Sequence, residues 1–124
     1  MRTLTRTEVF EVNKTRTVLN WVSYQIWYNK PISDMIKNTL NHYSNMQGVE
    51  TDITITELKN KFRDYIKKCV DNKKYLEKEL DKERKSFLSP SYRNIKAFFK
   101  GEELPFETVE EYQSYLKDYI LTEL

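Results

Sequence analysis

Alanine is almost missing from this chain of 124 residues. Ala97 is the only one, beside two glycines and three prolines. Close helix–helix approach needs small side chains, so helices here are expected to stand well apart, spaced by Tyr, Phe, Leu and Ile. So little Gly and Pro argues against long flexible linkers and against a sandwich with many tight turns. Cys69 is the single cysteine. It excludes an internal disulfide and suits a reducing cytoplasm. His42 is the single histidine, which excludes a multi-histidine metal site. With two isolated glycines there is no phosphate-cradling loop. No apolar run approaches the roughly 20 residues of a spanning helix, and the start "MRTLTRTEVF" has no apolar signal region. Neither membrane insertion nor export is expected, and the expected location is the cytoplasm of a bacterial host cell.

What is present is ordinary for one soluble domain: 39% apolar and 32% charged residues. The length suffices for one core. Phe, Tyr, Met, Ile, Asn and Lys supply 50 residues, whereas Gly, Ala, Arg and Pro supply 12. The first group has AT-rich codons and the second GC-rich ones. That composition points to an AT-rich genome, such as a low-GC bacterium, its phages or its mobile elements.

Helical signals dominate from residue 33 onward. "SDMIKNTLNHYSNM" predicts a helix over about 33–46, with Ile36, Leu40 and Tyr43 inward, and "QGVETD" a loop. In "DITITELKNKFRDYIKKCV", Thr54 and Glu57 have capping-box spacing and Ile53 and Leu58 suit a hydrophobic staple. Leu58, Phe62, Tyr65, Ile66 and Cys69 then recur at helical spacing, predicting a helix over about 55–70. The pattern continues through Tyr75, Leu76, Leu80 and Phe87, with Asp71-Asn72 as a break or as the middle of one long helix. "SPSYRNIKAFFKG" predicts a short helix between Ser91 and Gly101. Thr108 and Glu111 form another capping-box pattern before Val109, Tyr112, Leu116 and Tyr119 or Ile120, predicting a C-terminal helix.

The first 30 residues admit two readings. As a strand, Val22, Tyr24, Ile26 and Tyr28 alternate on one face, with "TEVFEV" (7–12) as a hairpin partner. As a helix, Val18, Leu19, Val22 and Ile26 form an aliphatic stripe, and Trp21, Tyr24 and Tyr28 an aromatic one roughly opposite. The helix is preferred, because the rest of the chain is helical and a lone strand needs a partner. A helix with two apolar stripes is either the covered centre of a bundle or a helix with a docking face. Trp and Tyr dominate interface hot spots. The candidate protein-binding residues are therefore Trp21, Tyr24, Trp27 and Tyr28.

Chemistry-bearing constellations are weak. Cys69 lies on an apolar stripe, so a buried structural thiol is expected rather than a Cys69–His42 pair. Asp52 followed by Glu57-Leu58-Lys59 has the letters of a nuclease fragment, but it straddles a helix start. Glu77, Glu79 and Glu83 alternate with lysines and are expected on a solvated face. Charge is more informative. Residues 1–58 are neutral overall. Residues 59–100 carry fourteen Lys/Arg against six Asp/Glu, and residues 101–124 one Lys against seven Asp/Glu. The small net charge of +2 thus hides a bipolar chain. Arg93, Lys96 and Lys100 fall on one side of a short helix, with Arg84 and Lys85 upstream. Such a row suits a phosphate backbone or, folded over it, the acidic tail.

The expected fold is all-α: a single-domain bundle of four or five helices over 1–124, with a short N-terminal β-hairpin left open. It has an aromatic-rich element over 1–30, a helical middle over 33–100 that is basic from 59, and an acidic C-terminal helix over 102–124. The expected function is a non-catalytic binding protein, without cofactor, metal or small-molecule substrate. It would be an accessory or inhibitor of a phage or mobile element that occupies a host or defence protein or nucleoprotein, of the anti-CRISPR kind. The alternative is a DNA- or RNA-binding accessory protein in replication or regulation that uses Arg84, Lys85, Arg93, Lys96 and Lys100.

Overall fold

The computed structural model describes residues 3–84, 106 and 108–124, with Arg84 described in its backbone only. The predicted short helix at 91–101 lies outside the described residues, as do Lys85, Arg93, Lys96 and Lys100. Five α-helices form the described bundle: α1 (Arg6–Tyr28), α2 (Ile32–Ser44), α3 (Ile55–Asp71), α4 (Lys73–Arg84) and α5 (Val109–Tyr115). The all-α expectation holds.

The N-terminal hairpin does not form. Residues 7–12 are helix, because Thr5 and Glu8 make a complete capping box that starts α1 just upstream of them. Thr5 Oγ1 accepts from the Glu8 N–H at 3.1 Å, and the Thr5 N–H donates to the Glu8 carboxylate at 3.4 Å. The only strand pairing among the described residues is parallel and two residues long: β1 (Leu4–Thr5) against β2 (Val49–Glu50). Gly48, at φ +74°, supplies the left-handed turn before β2. The expected loop at 47–52 therefore carries a sheet fragment. It also closes on α1: Asp52 Oδ1 accepts from the Thr7 N–H at 3.1 Å, and the Arg6 guanidinium donates to the Ile53 carbonyl at 3.1 Å. Asn29 ends α1 at φ 52°, a left-handed cap that Asn tolerates, and Pro31 then opens α2.

Of the two readings open at Asp71-Asn72, the break is the one that forms. Asn72 leaves helical geometry, and its side chain accepts from the Tyr75 N–H at 3.0 Å, so one residue closes α3 and caps α4. α3 is the centre of the bundle and touches α1, α2, α4 and α5. Leu58, Phe62 and Ile66 on it are fully buried. The Phe62 ring meets Phe10 at 4.8 Å, Trp21 at 5.1 Å and Tyr43 at 6.5 Å. After Tyr115 the C-terminal helix widens to a π-turn over Leu116–Ile120 and tightens to a 3₁₀ turn over Leu121–Glu123. Tyr112, Leu116 and Ile120, spaced by four throughout, stay buried together. A straight α-helix at 3.6 residues per turn would let that spacing drift around its axis, and the wider turn counteracts the drift.

Candidate protein-binding surface

The aromatic stripe splits. Trp21 is in the core, only 3% exposed, and its indole N–H donates to Thr39 Oγ1 at 2.9 Å. This corrects its placement on an outer face. α1 contacts α2, α3 and α4 at once, so its buried arc is wider than the aliphatic stripe and takes in the nearest aromatic. Tyr24, Trp27 and Tyr28 remain outside, at 45%, 44% and 64% exposed. They occupy the last two turns of α1. The Tyr24 and Tyr28 rings lie 5.6 Å apart, tilted by 35°, and Lys30 Nζ stands 5.7 Å from the Tyr24 ring centre. Beside them a groove of about 500 Å³ runs between α1 and α2, lined in part by Thr17, Asn20, Tyr24, Lys30, Asn38 and His42.

The basic segment is only partly described. Lys67, Lys68, Lys74, Lys78 and Lys82 are exposed. Lys73 reaches Glu110 at 2.5 Å and Glu77 at 3.9 Å. One contact therefore joins the acidic C-terminal helix to the basic middle, at Lys73, whereas the row of Arg93, Lys96 and Lys100 that the acidic tail was expected to cover lies outside the described residues. The Glu110 contact pulls the Glu110 carboxyl below its usual range and raises the Lys73 ammonium.

The weak chemical constellations resolve into structural roles. Cys69 is buried at 1% exposure, and burial pushes its thiol up to about 12. His42 is an exposed residue of the α1–α2 groove. Asp52 and Glu57 cap two different helices, α1 and α3, and the Thr7 hydrogen bond holds the Asp52 carboxyl below its usual range. The solvated-face reading of the α4 glutamates is right for Glu77 and wrong for two. Glu79 and Glu83 are buried, because with Leu76 and Leu80 they occupy the inward stripe of α4. Glu83 accepts from Arg16 Nε on α1 at 2.6 Å. Among the described residues, no group of three or more His, Cys, Asp or Glu is placed to hold a metal ion, and no helix is long and apolar enough to cross a membrane.

Sequence reasoning missed one cluster. Phe106, Tyr115 and Tyr119 gather beside the C-terminal helix in a shallow cleft of about 400 Å³ with Glu110, Glu111, Ser114 and Asp118. The helical spacing of Tyr115 and Tyr119 was the available signal, but the capping-box stripe ran through Tyr112 and Leu116 and drew Tyr119 toward the core. No family model, curated protein or solved structure matches the chain.

Proposed function

We propose that this is a non-catalytic binding protein that acts by occupying a protein partner through the outer face of α1. One observation carries the reading. Three large aromatics stand together at the end of α1, each about half exposed, while the other tryptophan is spent on the core. A packed bundle gains nothing from leaving that much aromatic surface in water, and Trp and Tyr are the side chains that anchor interfaces. Small size and AT-rich composition suit an accessory or inhibitor protein of a phage or mobile element, directed at a host or defence protein or nucleoprotein. The test is affinity capture from the host cell with the intact chain and with Trp27→Ala/Tyr28→Ala. The partner should survive nuclease treatment and be lost with the variant, whose melting temperature should stay near that of the intact chain. Equal capture by both proteins would sink the reading.

A second reading, DNA or RNA binding, rests on the run of exposed lysines on α3 and α4. A partner lost to nuclease favours it. So does a mobility shift that weakens with salt at a log–log slope of about −0.9 per neutralised duplex phosphate.

A further inference from the structure

We propose that the groove between α1 and α2 seats an acidic amphipathic helix of the protein partner. The inference rests on the α1 reading above and names the partner's chemistry. The groove is lined by residues of α1 and α2, by Lys30 in the connection between them and by Met46 just past α2. From Val9 to Tyr24 its α1 wall runs about 22 Å at a helical rise of about 1.5 Å per residue. A volume of about 500 Å³ drawn out over that length suits a rod better than a compact small molecule. A trough between two helices is where an amphipathic helix lays its apolar face.

The lining has a floor and walls. Trp21, Met35 and Tyr43 are buried and form an apolar floor, in which the methionine can adapt to an incoming side chain. Thr17 is half-buried above it, and Asn38 and His42 are exposed. The side chains of these three make no hydrogen bond to another described residue. Lys30 stands at the Tyr24 end, its ammonium 5.7 Å from the Tyr24 ring centre and paired with no carboxylate among the described residues. No Asp or Glu lines the groove, and Thr17, Asn38, His42 and Lys30 can all donate hydrogen bonds. Carboxylates on an incoming helix therefore meet donors, one ammonium and no like charge, whereas the lysines of a basic helix meet no counter-charge. A nucleic acid fits less well, because a phosphate backbone needs a row of cations and this lining has one lysine. Tyr24 belongs to the groove and also to the exposed aromatic group, with its ring 5.6 Å from Tyr28. A helix in the groove thus continues onto the face that α1 presents.

The experiment has two arms. In the first, the isotope-labelled full chain is titrated with synthetic peptides of about 15 residues. One carries Leu at i, i+3, i+4 and i+7 spacing with Glu between, one has Lys in place of Glu, and one has the acidic composition scrambled out of period. The acidic amphipathic peptide should shift amides over 13–24 and 35–46, gain helical circular dichroism on binding and weaken as salt rises. The basic and scrambled peptides should bind about tenfold or more weakly, and a short DNA duplex should shift none of these amides. Asn38→Glu/His42→Glu, at two exposed positions of α2, should keep its melting temperature and lose about tenfold or more in affinity for the acidic peptide. The proposal is overturned if the acidic peptide binds nothing at about 50 mM salt. It is equally overturned if the basic peptide or the duplex binds there as well, or if Asn38→Glu/His42→Glu binds as the intact chain does. The second arm repeats the host-cell capture with Asn38→Glu/His42→Glu, which should lose the partner. A partner kept by this variant but lost with Trp27→Ala/Tyr28→Ala refutes the groove and leaves the α1 reading standing. The reverse pattern sinks the α1 reading and leaves the groove.

Discussion

Phe62 meets rings from α1 and α2 within one small volume, so deleting it opens a cavity that no single neighbour can fill. Phe62→Ala should cost about 3–5 kcal/mol, measured by denaturant unfolding. The two tryptophans make a sharper comparison because they share a helix. Trp21→Ala should cost about 3–5 kcal/mol through lost burial and the lost hydrogen bond to Thr39. Trp27→Ala, on a solvent-facing turn, should stay within about 0.5 kcal/mol. Buried protons make the fold sensitive to alkali. Burial raises Cys69 and Tyr43 to about 12 each and Tyr65, Tyr75 and Tyr112 above the usual phenol range. The unfolded chain releases these protons first, from its ordinary thiol value of 9.0 and phenol value of 10.0. Between those values and the raised ones the native state holds more protons, so stability falls as pH rises. Unfolding midpoints should be insensitive to these groups below about pH 8.5 and drop progressively from about 9 upward. At pH 8 a thiol reagent should label Cys69 only after denaturation.

Helix ends were the most legible elements, and the reason is chemical. A cap is a local bargain between residues three apart, so Thr54 with Glu57 announced α3, and Thr108 announced α5 with its hydroxyl on the Glu111 N–H. Thr54→Ala should lower stability by about 1 kcal/mol, and Asn72→Ala, which uncaps α4, by a similar amount in the same unfolding assay. The Thr5 and Glu8 box has the same spacing, but Val9, Phe10 and Val12 just after it suit a strand as well as a helix. Long-range features were not legible. A ladder of two residues per strand carries no alternation to detect, so β1 and β2 were hidden in a loop. Glu79 and Glu83 follow the inward stripe of α4, yet Glu83 makes sense there only once Arg16 arrives from α1, whereas Glu79 turns to Lys82 on its own helix. Glu83→Ala removes the carboxylate that accepts from Arg16 Nε and should cost about 2 kcal/mol. At the candidate site, periodicity located the aromatic face of α1 but could not divide it, because the division depends on how many helices close around Trp21.

Across the whole molecule, the start of α1 is held by a segment far along the chain. The Thr7 amide is capped by Asp52, 45 residues away, and Arg6 is tied to Ile53. Asp52→Ala should therefore accelerate amide hydrogen exchange at Thr7 and its neighbours while α3, with its own cap, remains protected. The same arrangement has a consequence in time. A chain synthesised from its N-terminus has all of α1 by residue 28, but the partner of its first turn is not made until residue 52. At about 5–20 residues per second that is a wait of about one to five seconds. During that interval the first turn has only Thr5 and Glu8 to hold it, and Phe10 lacks the Phe62 ring it will later meet. The opening turn of α1 therefore cannot make its long-range contacts until the chain has reached Asp52 and Phe62.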